Sequence, residues 1–325
     1  MAQYSKFAFQ GKTELEKHSQ AKTDKRIASV ATVSAQPGPT DSFTDVQGLQ
    51  VGHAHDEHAK TGVTAIIPGA PIAMGVDVRG GGPGTRDTDA LDPTCLVEKV
   101  HGLVLSGGSV FGLAAADGVC AHLSEQGVGL AFTARAIPIV PSAILYDLAN
   151  GGDKNWGTEP PYRALGIKAL AACETRFDEG SVGAGYGAQA GAQKGGIASA
   201  SLVTDDGIIV SAIVAVNSFG VVGSKHEHGV IDMPKVGFVG TNTTIGAVAT
   251  NLALDKSGCT RMAIMAQDGY ARSIRPIHTP FDGDTVFAMA TGEKAIEGDL
   301  APMLALVGTL AADCVVRAIE KAVAG

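Results

Sequence analysis

Apolar positions along the chain come in short alternating or continuous runs, cut by glycine and proline, and each run predicts a strand or a short helix. TGVTAIIPG (61–69) and IAMGVDVRGGG (72–82) read as adjacent strands divided by Pro68-Gly69. GLVLSGGSVFGLAAADGVCAHLSEQ (102–126) reads as a buried strand, a Gly-Gly-Ser turn and a helix of small residues. PSAILYDLANG (141–151) and YRALGIKALAACE (162–174) read as short helices. GIASASLV (196–203) and GIIVSAIVAVNSFG (207–220) form a hairpin around TDDG. TNTTIGAVATN (241–251) and DTVFAMATG (284–292) read as strands; DKSGCTRMAIMAQDGYARSIR (255–275) and APMLALVGTLAADCVVRAIEKAVA (301–324) are helical. Strands interleaved with small-residue helices predict a layered α+β protein with helices outside packed sheets.

Composition narrows this picture. The chain has 325 residues, enough for one large or two medium domains with a proper core. Its 43 glycines lie among alanine-rich and β-branched segments, which suits tightly packed layers rather than disorder. Residues 1–41 differ: up to residue 40 they carry six basic against three acidic side chains and run into ATVSAQPGPTDS, a flexible lead-in. With a net charge of −8, the remainder is markedly acidic, which argues against a nucleic-acid groove or an anionic-membrane surface. Cys95, Cys120, Cys173, Cys259 and Cys314 are scattered without Cys-x-x-Cys spacing, so reduced thiols fit better than a disulfide frame. The first residues lack the apolar core of a signal peptide. The expectation is a soluble, cytoplasmic protein without membrane or nucleic-acid partners.

Several motifs could carry chemistry. SGGSVFG (106–112) opens a helix as a phosphate cradle does, but lacks the Lys-Ser/Thr of a nucleotide loop, and close helix–sheet packing explains it better. HAHDEH (53–58) and KHEH (225–228) concentrate imidazoles without a completing ligand, and read as solvated loops rather than metal sites. VDVRGGGPGTRDTD (76–89) is either a pocket lining or a turn-rich connector. The sharper group is Asn217 at the end of an apolar strand, Thr243 at the start of another, and Asp282 and Asp284 at the mouth of a third. A hydroxyl, two carboxylates and an amide are the parts acyl transfer needs: a nucleophile, groups to orient it and an oxyanion donor. Periodicity does not say that they meet.

At these residues the chain resembles the DmpA-type N-terminal-nucleophile peptidases and amidases. VGHAHDEHAKTGVTAI, LSGGSVFGLAAADGV, AVNSFG, TNTTIGAVATN and IRPIHTPFDGDTVFAMATG follow that family's pattern in order across roughly residues 42–323. Within the family, Asn242-Thr243-Thr244-Ile245 together with Asp282-Gly283-Asp284-Thr285 resembles the nylon-type 6-aminohexanoate-oligomer hydrolases. The resemblance implies a four-layer αββα fold over residues 42–325 and no cofactor. It implies a precursor that cuts itself between Asn242 and Thr243 into segments 1–242 and 243–325. It further implies homotetramers of such heterodimers. Thr243 would be the nucleophile, with its freed α-amine as base; Asp282 and Asp284 would hold its amine and hydroxyl. Asn217 would donate to the oxyanion, with Lys194 and the hydroxyl of Tyr146 nearby. Aminopeptidase members use serine and a Ser-x-Glu pair where this chain has Asp282-x-Asp284, and carry an acidic residue near Thr133 or Ala134. That departure favours linear ω-amino-acid amides as substrates, with aminopeptidase or D-amino-acid amidase action as the alternative. Acyl transfer of the ornithine-acetyltransferase type is a third reading, which the Asp282-Gly283-Asp284-Thr285 run argues against.

Overall fold

In a computed structural model, residues 32–223, 229, 231 and 242–324 are described. The lead-in up to residue 31 and the KHEH segment lie outside them. One six-stranded sheet has the order β1 (Ala35–Pro37), β10 (Gly196–Thr204), β11 (Ile209–Asn217), β13 (Thr243–Leu252), β15 (Thr285–Lys294), β4 (Ala73–Val78). A five-stranded sheet has the order β2 (Leu49–Asp56), β3 (Thr61–Pro68), β6 (Leu103–Ser106), β7 (Ser142–Ile144), β5 (Thr85–Arg86). Two short ribbons, β8 (Gln189–Ala190) with β9 (Gln193–Lys194) and β12 (Val221–Val222) with β14 (Ile274–Arg275), complete the strands. Among the described residues four α-helices flank the sheets: α1 (Ala114–Glu125), α2 (Tyr162–Ala171), α3 (Lys256–Ser273) and α4 (Leu300–Val323).

Three apolar layers hold these elements together, and strand period explains how one strand serves two of them. In β11, Val210, Ala212, Val214 and Val216 face α3 and α4, whereas Ile213 and Ala215 face the other sheet. In β13, Val248 and Leu252 face the helices while Ile245, Ala247 and Ala249 face inward between the sheets. β15 splits likewise, with Val286, Ala288 and Ala290 outward and Phe287 and Met289 inward. The second sheet covers its outer face with α1 and α2 through Val63, Ala65, Val104, Val119, Tyr162 and Leu165. The result is the αββα sandwich expected from the sequence. The alanines and glycines let the helices approach closely: a Cβ on Gly75 would lie 2.3 Å from the Thr260 nitrogen on α3.

Helix α3 begins where Asp255 caps it, its side chain accepting from Gly258 N at 2.7 Å. Helix α4 is long and apolar enough to cross a membrane by length and composition, yet Val307, Leu310, Ala311, Val315, Ala318 and Ile319 of one face are buried in the core.

Three segments depart from the sequence reading. Residues 142–144 form a strand, not a helix, because the free edge of β6 recruits them in parallel pairing, Val104 with Ser142 and Ser106 with Ile144. Pairing overrides helix propensity over so short a run. Residues 53–56 of the histidine run belong to β2, and only Glu57 and His58 lie in the turn after it: His53 turns inward, its Nδ1 2.9 Å from Thr64 Oγ1, and His55 stacks on Tyr186 at 4.3 Å between ring centroids. Ordered chain also begins before residue 42. β1 pairs with the edge of β10, and the Asp41 carboxylate meets Arg317 and Lys321 of α4 at 2.8 Å each.

Burial pushes the His53 imidazole down from 6.5 to about 4, so folding favours its neutral form. Stability from this group is full above pH 6.5 and lost as pH falls through 4, a change of about 3 kcal/mol at ~1.4 kcal/mol per pKa unit. Urea unfolding at pH 7 and pH 4.5 is expected to show a smaller acid-induced loss in His53→Gln than in the wild type; equal losses would remove His53 from the account.

Candidate active site

The end of β11 and the start of β13 lie side by side, with Asn217 the register partner of Thr243. Directly opposed residues in a sheet share a face. Both therefore point inward between the sheets, as Ile213, Ala215 and Ile245 do, while Thr244 points toward the helices. On the other side β15 runs parallel to β13, and the Asp282-Gly283-Asp284 segment leads into it. Asn242 forms a parallel bridge with Asp282, so the bond before Thr243 lies beside that segment.

Thr243 is almost wholly buried. Its hydroxyl donates to the carbonyl oxygen of Asn242 and accepts from Gly283 N at 3.1 Å. The oxygen thus sits beside the carbonyl that precedes it, under a backbone donor fixed by the carboxylate turn. Such a donor stabilises developing negative charge on oxygen without reorganising.

The Asn217 amide is held at both ends. Its Oδ1 accepts from Gln189 N at 2.8 Å and its Nδ2 donates to the main-chain oxygen of Tyr146 at 2.9 Å. These partners fix which end is nitrogen, and the second Nδ2 hydrogen is not used by either bond. Tyr146 thus reaches the site through its carbonyl; no hydrogen bond of its phenol joins the site among the described residues. Lys194 is exposed on β9, opposite Gln189 in the ribbon, and no hydrogen bond or ion pair among the described residues links it to Thr243.

Asp282 and Asp284 are fully buried. The resemblance assigns them to a freed Thr243 amine and its hydroxyl; in this intact chain their oxygens tie strand ends together. Asp282 accepts from Phe219 N at 3.2 Å, Thr279 N at 2.9 Å and Thr279 Oγ1 at 2.6 Å. Asp284 accepts from Thr244 N at 2.8 Å, His278 N at 3.0 Å and His278 Nδ1 at 2.9 Å. The physical reason is that the Thr243 nitrogen is here a peptide N–H following Asn242, with no ammonium charge to draw a carboxylate. Burial, and then the Asp284 charge, push the Asp282 carboxyl up. The same two causes raise the Tyr270 phenol on α3.

Sequence reasoning missed His278, Thr279 and the Gly283 amide, and left the glycine-rich loop undecided. That loop forms a wall of the site: Gly82 N donates to Asp282 O at 2.8 Å, and Arg79 N to Asp284 O at 3.0 Å. A Cβ on Gly80 would lie 2.3 Å from Asp284 N and 2.4 Å from Asp282 O, both backbone atoms. The visible signal was the run of three glycines at 80–82, but only contact with the carboxylate turn explains it.

Comparison with known proteins places this arrangement in a family. The model of peptidase family S58 matches residues 41–325. An uncharacterized aminopeptidase of Mycobacterium tuberculosis is 40% identical over 321 residues, covering 86% of this chain and 92% of that protein. A 6-aminohexanoate-oligomer endohydrolase of Kocuria sp. is 31% identical over 279 residues, covering 77% and 74%. Two solved structures share the fold, each covering 90% of this chain and 88% of the other. A Burkholderia sp. beta-aminopeptidase gives a TM-score of 0.70 at 24% identity. The L-aminopeptidase D-Ala-esterase/amidase of Ochrobactrum anthropi, described as a variant of the Ntn hydrolase fold, gives 0.69 at 21%.

Gly80→Ala is expected to fold, with overpacking costing ~1–3 kcal/mol, while displacing the carboxylate turn. A shift of that turn near 1 Å is expected to lower amide hydrolysis by about 10²-fold. Steady-state rates beside a circular dichroism spectrum test this, and wild-type rates in a folded variant would contradict it.

Proposed function

Since the chain belongs to peptidase family S58 and is a hydrolase acting on amide bonds, we propose that it is a self-processing amidohydrolase whose nucleophile is the Thr243 hydroxyl. The observation that carries this reading is the Thr243 hydroxyl held against the Asn242 carbonyl, beneath the Gly283 N–H and opposite Asn217.

A threonine hydroxyl is a weak nucleophile at neutral pH and needs an adjacent base. In self-cleavage, Oγ1 attacks the Asn242 carbonyl carbon. The C–N bond then breaks, its nitrogen takes the proton, and an ester links Asn242 to Thr243. Water hydrolyses the ester, leaving a carboxylate on Asn242 and a free amine on Thr243. That amine, with an ordinary pKa near ~8, is then the base for the mature reaction. It takes the Oγ1 proton as the oxygen attacks a substrate amide and passes it to the leaving amine. The acyl ester that forms is hydrolysed by water. The free Nδ2 hydrogen of Asn217 and the Gly283 N–H are the donors at hand for the oxyanion. Once the ammonium form of the Thr243 terminus exists, the buried Asp282 and Asp284 carboxylates offer it an opposite charge.

The substrates we propose are linear ω-amino-acid amides of the 6-aminohexanoate type. The Kocuria endohydrolase and the Asp282-x-Asp284 pair support this class. The alternative is aminopeptidase action on short peptides, which the naming of the mycobacterial relative favours.

Denaturing gels and intact mass of the wild type are expected to give two fragments split between Asn242 and Thr243, and Thr243→Ala a single inactive chain. A wild-type protein that stays whole yet hydrolyses amides would falsify the mechanism. Incubated separately with a linear 6-aminohexanoate oligomer and a short peptide amide, the processed enzyme is expected to cleave the oligomer; cleavage of the peptide alone selects the alternative.

A further inference from the structure

The Asn217 amide owes its orientation to two backbone atoms, the Tyr146 oxygen and the Gln189 nitrogen, and both belong to segments that converge on one buried carboxylate. Asp147 is 2% exposed, just past the end of β7. Its Oδ1 accepts from Gly108 N at 2.7 Å, and its Oδ2 from Thr61 Oγ1 at 2.6 Å. Gly108 has φ +87°, the left-handed conformation of the Gly-Gly-Ser turn that opens the approach to α1. A Cβ on Gly107 would lie 2.1 Å from Oδ2, and one on Gly187 2.8 Å from the same oxygen. Both glycines leave space for the carboxylate, one from the turn before α1 and the other two residues before Gln189. Asn150 fastens the same pair of segments, its Nδ2 donating to Gly187 O at 3.2 Å and Lys60 O at 2.6 Å.

We propose that Asp147 is a positioning residue for the reaction at Thr243, its carboxylate fixing the two backbone segments that grip the Asn217 amide. This rests on the reading of Thr243 as nucleophile and Asn217 as oxyanion donor. Asp147 touches neither. It holds the Tyr146–Asp147 peptide against the Gly108 turn and the start of β3, and Gly187 packs on its free side. A shift of that peptide moves the Tyr146 carbonyl, and with it the Nδ2 hydrogen left for the oxyanion. The groups around the carboxylate are Lys154, whose Nζ donates to Ala59 O and Asn150 Oδ1, and the Tyr162 phenol. Burial raises the Asp147 carboxyl to about 6, so the site keeps an ionisable group where an uncharged one would bury at lower cost.

The test is a double-mutant cycle on the full chain. Asp147→Asn and the milder Thr61→Val are made alone and with Asn217→Ala, and kcat and KM are measured on whichever of the linear 6-aminohexanoate oligomer and the short peptide amide the wild type cleaves. Circular dichroism and thermal melts establish folding. Asp147→Asn is expected to lower kcat by about 10- to 100-fold, with KM within about threefold. Thr61→Val is expected to lower kcat less. Acting through Asn217, both variants should cost less than about threefold once Asn217 is alanine. Wild-type kcat in a folded Asp147→Asn, or the same loss in both backgrounds, overturns the proposal. If Asp147→Asn does not fold, Thr61→Val decides by the same criteria. If Asn217→Ala leaves no measurable rate, the half-time of self-cleavage in the single variants decides. Slowing of about tenfold or more supports the role, and cleavage at the wild-type rate overturns it. Thr243→Ala runs in parallel: if it still hydrolyses the amide, the reading of the nucleophile fails. If it is dead while Asp147→Asn is unimpaired, only the role of Asp147 fails.

Discussion

The antiparallel register of β11 on β13 is the constraint on which the site depends. It puts Asn217 opposite Thr243 at the inner ends of two buried strands, and strand parity turns both side chains between the sheets. A slip by one residue would send Thr243 toward α3 and α4 and bring Thr244 inward. The apolar pattern prevents that slip. Ile245, Ala247 and Ala249 fill the gap between the sheets, and Val248 and Leu252 pack on the helices, so a one-residue slip would exchange one core for the other. The energy that fixes the register is therefore core burial, and the polar pair at the strand ends inherits its accuracy.

The carboxylate segment is the second fixed element, and it depends on the first. Its two aspartates accept backbone N–H groups from residues 219, 244, 278 and 279, which join the ends of three strands into one rim. Two buried carboxylates so close repel each other, and burial penalises their charge further, which is why the Asp282 carboxyl is raised. Six hydrogen bonds offset that penalty. The glycine-rich loop at 80–82 closes the rim from outside, because only a residue without a side chain fits against the backbone of Asp282 and Asp284.

Small residues run through the whole design. β10, β11, β13 and β15 present alanine, glycine, serine and threonine on faces that larger residues would hold apart. Close spacing brings the Tyr146 carbonyl, from the end of the second sheet, within 2.9 Å of an amide on the first. The site is therefore shared between the two sheets, and helices α3 and α4 support one side of it without contributing the Thr243 hydroxyl.

The sequence by itself determined the layered class, the two long helices, the hairpin of β10 and β11, and the roster of Asn217, Thr243, Asp282 and Asp284. These were legible because strand and helix periods and strand-end polar residues are local signals. The run at 142–144 was not legible, since three residues of mixed propensity become a strand only when a partner edge is present. The inward turn of His53 was hidden for the same reason: a histidine in β2 is polar by composition and half-buried only because Thr64 and Phe177 lie beside it. The carboxylates flank the Gly283 amide that meets Thr243, but their own partners are set by the peptide state of the Thr243 nitrogen. The Gly283 amide and Gly80 carry no side-chain signal at all. Their roles come from what the backbone approaches, and only the tertiary structure decided that, because contact between distant segments is a property of packing and not of spacing along the chain.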